Sequence, residues 1–381
     1  MIPLLAGCSS LPSVGPGKDD VVSQQAMDDG NGLLEQRYEI IDITPAVISR
    51  LQQRTPNTFI GNFGDYRPSL EPMIGVGDVL SVTVWEAGAG GLFSAPLVTD
   101  RFSTGSKSAT IPEQTVERDG AISVPYAGRI KVVGRTVQSV QTSIEEALQN
   151  KAIQPQVIVN IVHAISNSVT VTGEVASGAR VPLTPKGDRL LDVIATAGGV
   201  KAPVNETFVR LSRGMKTVSV PLTKVVADPR EDIFLRSGDV VTLVRNPQIF
   251  VAYGATGQNA EVPFQADGIN LSRALAKAGG LLDYRSDPAG VFIFRYEPEN
   301  IARLLRPNSP LLVPGSYMPV VYRLDLHDAN ALLISQNFPI FNNDVIYVSN
   351  APSTELQKAL GLFATVVSPA ISGASVASAV K

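Results

Sequence analysis

The chain repeats itself, and that constrains its fold more than any other feature. At a constant offset of 81 residues, Gly173, Val181, Pro182, Gly187, Leu190, Ala195, Ala197, Gly198 and Gly199 recur as Gly254, Val262, Pro263, Gly268, Leu271, Ala276, Ala278, Gly279 and Gly280. These nine ungapped identities argue against coincidence and for two tandem copies of one small unit. In each copy a strand (168–173; 248–254) precedes a turn and then a helix (188–197; 269–278). Leu190, Leu191 and Ile194 recur at helical spacing, as do Leu271, Leu275 and Ala278, so each helix lays one apolar stripe on its strands. Gly198 and Gly279 then supply a left-handed stop. The fold class is α+β, built from small modules. The closing strand of the second copy is displaced by 105 rather than 81, so about 24 extra residues lie inside it. The proline-rich stretch 298–319 reads as that insertion, an extended surface loop.

A shorter phrase occurs three times. Gly77-Asp78-Val79-Leu80-Ser81-Val82-Thr83-Val84-Trp85, Gly238-Asp239-Val240-Val241-Thr242-Leu243-Val244 and Asn343-Asp344-Val345-Ile346-Tyr347-Val348 each set Gly or Asn beside Asp ahead of a strand. Asn replaces Gly because both tolerate left-handed backbone angles. None of these turns opens a helix or carries the Lys-Ser/Thr that phosphate needs, so nucleotide binding is not the reading. The first phrase belongs to a different module. Two short strands flank Pro125-Tyr126-Ala127-Gly128, Thr136 caps a helix carrying Val137, Val140, Ile144 and Leu148 on one face, and 155–162 returns as a strand. Trp85, the single tryptophan, is expected to pack beneath its sheet.

Composition narrows the function. Lys plus Arg number 32 against 35 Asp plus Glu, a formal charge of -3, so no nucleic acid partner is expected. His163 sits in a strand and His327 in Leu326-His327-Asp328, neither with a second ligand at metal spacing. No Gly-x-Ser-x-Gly, His-Glu-x-x-His or Walker sequence occurs. No catalytic residue, metal or cofactor is therefore assigned. A carboxylate pair for glycan cleavage stays open, because such pairs meet in space rather than in sequence.

Both ends of the chain carry membrane signals. Cys8, the single cysteine, follows Leu5-Ala6-Gly7, the approach to a bacterial lipoprotein cleavage site, and its thiol is the expected lipid attachment point. Only seven residues precede it, so the start of translation is expected upstream. Each buried methylene adds about 0.8 kcal/mol, and two or three acyl chains hold a protein on a bilayer almost permanently. Residues 9–32, rich in Ser, Pro, Gly and Asp, read as a flexible tether.

At the other end, 353–372 plots as a two-faced helix. Leu356, Leu360, Phe363, Val367 and Ile371 fall on one arc, and Gln357, Lys358, Gly361, Thr365 and Ser368 on the other. Twenty residues span about 30 Å. Pro369 marks a kink or a frayed last turn. From the residues alone two readings stand: a helix lying flat or packed on the body, the commoner kind, and a helix that crosses the membrane in company. A lone crossing would expose Lys358 to hydrocarbon at about 2.5–3.5 kcal/mol. A ring of copies turns the polar faces inward to water and the apolar faces to lipid.

Taken together, the lipoprotein cysteine, the phrase at 77–86, the paired Ala-Gly-Gly modules and the terminal two-faced helix resemble the outer-membrane polysaccharide export (Wza-like) family. The likeness is nearest to capsule export lipoproteins of ABC-transporter-dependent systems, with Asn205 to Arg213, Gly290 to Tyr296 and Asp344 to Pro352 reading as family text. The resemblance implies a polysaccharide export domain (71–165), two SLBB-like β-grasp modules (168–246 and 247–350) and an amphipathic membrane helix (353–372). Before them stand a residual signal segment (1–7), the lipidated tether (8–32) and an N-terminal extended segment (33–70), and after them a tail (373–381). It also favours the membrane-crossing reading, with Leu356, Leu360, Phe363, Val367 and Ile371 facing lipid and Gln357, Lys358, Gly361, Thr365 and Ser368 lining a pore. The implied assembly is a homo-oligomeric ring, an octamer in the best-known member, in the bacterial outer membrane. Its body lies in the periplasm and its C-terminus at the cell surface. An inner-membrane polysaccharide copolymerase and an ABC transporter would feed it with polysaccharide. The alternatives are a periplasmic lipoprotein that binds glycan or a partner without forming a pore, and a glycan-cleaving lipoprotein.

Overall fold

The structure is a computed structural model that describes residues 15–23, 26–28, 34–36, 38–54, 57–64, 67, 73–87, 92–93 and 108–352. The chain clusters into two compact units, Asn57–Asn246 and Met1–Pro56 with Pro247–Lys381.

One module of the first unit is built around the strand of the first repeated phrase. Strand Val79–Trp85 lies between Ser108–Thr115 and Gln156–His163 in an antiparallel sheet. Its alternation buries Leu80, Val82 and Val84 on one face, as a period of two requires. Helix Val137–Leu148 packs there through Val140, Ile144 and Leu148, and its cap is the expected one, the Ser139 amide donating to Thr136 Oγ1 at 3.3 Å. The hairpin Ala121–Val124/Gly128–Lys131 closes the same core. Trp85 corrects an expectation. It stands on the opposite face from Leu80 and Val84 and is 46% exposed, because position 85 continues the outward half of the alternation.

The first β-grasp module follows in the same unit. Its five strands run in the order Ala179–Pro182, Ser168–Gly173, Val240–Arg245, Thr207–Arg213, Lys216–Pro221, with helix Leu190–Thr196 burying Leu190, Val193 and Ile194. The closing strand Val240–Arg245 lies parallel to the opening strand Ser168–Gly173.

The second unit repeats this plan at larger scale. Six strands run in the order Ala260–Phe264, Gln248–Gly254, Asp344–Asn350, Ser286–Pro298, Tyr317–Leu324, Glu39–Asp42. Closing strand Asp344–Asn350 is again parallel to the opening strand Gln248–Gly254. Helices Leu271–Lys277, Pro45–Leu51 and Glu299–Leu305 share one core with the sheet. The last of these revises the expected insertion loop. Residues 299–305 form a helix that buries Ile301, Ala302 and Leu305, and the flanking strands are long. Glu39–Asp42, early in the chain, joins in parallel beside Tyr317–Leu324.

The repeat has a visible cause at Gly173 and Gly254. Both have φ +89°, and a Cβ on either would meet the carbonyl oxygen of the closing strand, Leu243 or Val348, at 2.0 Å. Only glycine lets the parallel strands meet there.

Candidate functional site

The thrice-repeated phrase is the first place to look for chemistry, because each copy carries an aspartate. Gly77, Gly238 and Asn343 take φ +91°, +83° and +66°, the left-handed turn expected of them. Each turn folds the following carboxylate back onto the amide three residues earlier: Gly75 to Asp78 at 2.8 Å, Arg236 to Asp239 at 2.8 Å and Phe341 to Asp344 at 2.7 Å. The remaining oxygen capacity goes to a neighbouring segment. Asp78 accepts from the Ser166 amide (2.7 Å) and hydroxyl (2.6 Å). Asp239 takes Arg213 through Nε (2.8 Å) and Nη2 (2.6 Å), and Asp344 takes Arg295 through the same atoms (2.9 and 2.6 Å). All three carboxylates are about 1% exposed. They lock turns to strands and present nothing to a reactant.

The Arg295 lock is the more elaborate. Its guanidinium also donates to the Pro339 carbonyl and to Glu297, and lies against the rings of Phe341, Phe338 and Tyr322. Glu297 further accepts from the Tyr322 hydroxyl at 2.8 Å and pairs with Arg54. Burial alone would lower the affinity of Arg295 for its proton, but Asp344 and Glu297 outweigh it and hold the group above the ordinary arginine range. Burial, with Glu297 alongside, pushes the Tyr322 phenol up in turn. No local sequence pattern marks Arg213 or Arg295 as the partner of these carboxylates. The available signal was an arginine late in each module's third long strand.

A second feature ties the start of the chain to the second unit. Within the stretch expected to be a free tether, Lys18–Ser23 form a short helix whose Val21 is buried among Phe292, Val321 and Tyr347. The Tyr347 hydroxyl donates to the Pro16 carbonyl at 2.6 Å and the Tyr38 hydroxyl to the Val21 carbonyl at 2.7 Å. Burial and the nearby Asp20 carboxylate push the Tyr347 phenol up to about 12, so it stays a donor across the physiological range. Gly15 lies so close that a Cβ there would stand 2.7 Å from the same phenol oxygen.

Cys8, Leu356, Gln357, Lys358, Leu360, Gly361, Phe363, Thr365, Val367, Ser368 and Ile371 lie outside the described residues. Among the described residues no helix is long and apolar enough to cross a membrane, and no cluster of His, Cys, Asp and Glu is arranged to hold a metal ion. His163 is exposed at the end of its strand, and His327 Nδ1 lies 2.9 Å from Asp325 Oδ1 on the surface.

Residues 67–162 match the family model for polysaccharide biosynthesis/export protein, and residues 167–243 match the SLBB domain. Over 378 residues the chain is 40% identical to the capsule polysaccharide export outer membrane protein CtrA of Neisseria meningitidis serogroup B, covering 98% of this chain and 94% of the relative. It is 34% identical over 375 residues to the capsule polysaccharide export protein BexD of Haemophilus influenzae, 97% of this chain and 94% of the relative. A more distant likeness, 26% over 362 residues, links it to the Vi polysaccharide export protein VexA/TviF of Salmonella typhi, 94% of each chain.

Proposed function

The chain belongs to the polysaccharide biosynthesis/export family, and from that premise we propose that its copies form a passive outer-membrane conduit for capsular or related polysaccharide. The observation that carries this reading is the likeness to capsule export proteins along 98% of the chain. It is an export protein and not an enzyme, as its relatives are.

The finer reading concerns how it crosses the membrane. Both ends of the chain leave from one sheet in the second unit. Pro16 is held at Tyr347, and the same strand ends at Asn350, about 10 Å further on, before the segment 353–372. The eight Cα–Cα steps from Cys8 to Pro16 reach at most about 28 Å. A lipid on Cys8 would therefore hold this unit against the bilayer, close to where the two-faced segment must enter it.

Eight such segments in a ring would put Leu356, Leu360, Phe363, Val367 and Ile371 against lipid and Gln357, Lys358, Gly361, Thr365 and Ser368 around a water-filled lumen. The body would stand in the periplasm and the C-terminus at the cell surface. With no ATPase sequence in the chain, the driving energy would come from an inner-membrane ABC transporter and its periplasm-spanning copolymerase.

Removing the chain from its host tests the export reading. Polysaccharide should still be synthesised, be lost from the cell surface and accumulate inside the cell, and the full-length protein should restore it. Unchanged surface polysaccharide would overturn the reading.

A further inference from the structure

The two β-grasp modules share the same arginine–aspartate lock, but only the second continues past it. In the first, Arg213 is followed within the hairpin by Lys216 on the next strand. In the second, strand Ser286–Pro298 runs on beyond Arg295 and pairs with an equally extended Tyr317–Leu324. This extra length carries Tyr296 and Tyr317, 73% and 66% exposed. Tyr296 pairs with Pro319 and Pro298 with Tyr317, so the two rings share one sheet face a single diagonal step apart. The fold has no need of them there, since the first module makes its lock without them.

Pairing with the closing strand stops at Phe294 and Val345, and past that point the edge of Ser286–Pro298 borders an open groove of about 670 Å³. The turn of Asn342 and Asn343 and the Arg54 side chain complete its lining. Asn342 Oδ1 accepts from the Ile249 amide at 2.9 Å, which fixes the side chain, while no described residue takes up its Nδ2. Asn343 is exposed on its left-handed turn. Arg54 lies on the Phe341 ring at 4.3 Å and pairs with Glu297, and its Nε is a buried donor with no partner among the described residues.

We propose that this groove is a glycan subsite that seats a pyranose ring of the exported polysaccharide. A pyranose has an apolar C–H face and an edge of hydroxyls. The tyrosine rings suit the first, and the asparagine amides suit the second. The local charges, Arg54 and Arg295 against Glu297 and Asp344, are already paired, so the groove favours the hydroxylated ring over a phosphate or carboxylate. This inference rests on the export reading and places one contact of the moving chain within it.

The test replaces Asn342, exposed beside the groove and free of the left-handed backbone of Asn343, with the photo-crosslinking residue p-benzoylphenylalanine in the full-length protein, expressed in its host during export. After irradiation and purification under denaturing conditions, the protein should carry covalently attached polysaccharide, and this adduct should be lost in the Tyr296→Ala/Tyr317→Ala background. Oligosaccharides cut from the host's own polysaccharide should bind purified Tyr296→Ala/Tyr317→Ala protein at least about tenfold more weakly than wild type. Both tyrosines are exposed, so this variant keeps its fold. A discrete adduct of two protein copies and no glycan would make the groove a subunit contact and overturn the proposal. So would the absence of any glycan adduct in cells whose surface polysaccharide is normal. If surface polysaccharide does not depend on the chain at all, the export reading itself has failed.

Discussion

A full-length chain truncated after Pro352 is expected to leave the cell surface at the polysaccharide level of a strain lacking the protein, with polymer retained inside. The folded body should survive the truncation, because among the described residues the last strand ends at Asn350 and the three main apolar cores are built from residues before 353. What is lost is the two-faced segment 353–372. As a single helix in lipid it would bury Lys358 at about 2.5–3.5 kcal/mol, and several other polar groups besides. In a ring the same polar face lines water, and the penalty disappears. A segment that merely lies flat would behave otherwise. Its removal would weaken membrane attachment, which a lipid on Cys8 would largely make good, and export would continue. Export from the truncated protein would therefore contradict the pore reading, and western blotting of the periplasmic body would show whether the protein was present.

Asp344→Ala is expected to cost about 3–5 kcal/mol of stability, read as a large drop in the melting temperature of the second unit. The substitution strands Arg295, whose side chain is 4% exposed, without its bidentate partner, and leaves the Phe341 amide without an acceptor. Asp239→Ala removes the equivalent bond in the first module. There Arg213 is 17% exposed, so water compensates in part and the loss should be smaller. The double variant Arg295→Met/Asp344→Leu should recover part of the single variant's deficit, because an apolar pair carries no unpaired charge. Melting of Asp344→Ala alongside wild type would show that the repeated phrase does not lock the module.

Much of this architecture was legible because it is local. The strands Ser168–Gly173 and Gln248–Gly254 were read at their observed bounds from β-branched runs ending in glycine. Thr136 and the stripe Val140, Ile144, Leu148 announced their helix by spacing alone. The aspartate turns were recognisable as turns, but their partners were not. Arg213 and Arg295 lie 26 and 49 residues from the carboxylates they bind, and no periodicity links them. The strand Glu39–Asp42 joins a partner near residue 320, a pairing equally invisible to a local pattern. Composition misled at the start of the chain. A stretch rich in Asp, Ser and Gly looked solvated, although one valine between two tyrosines is enough to fasten it. The helix Glu299–Leu305 was hidden by the prolines around it. Of the proposed membrane attachments, Cys8 and the segment 353–372 rest on the sequence and lie outside the described residues. The structure contributed the sheet to which the chain's start is clasped and from which its end departs.

The most direct test images full-length, acylated protein extracted from membranes in mild detergent. The account expects closed rings of eight copies, with the 353–372 segments converging on a membrane-height collar around a water-filled lumen. Particles that are strictly single chains, with that segment lying along the micelle surface, would contradict it.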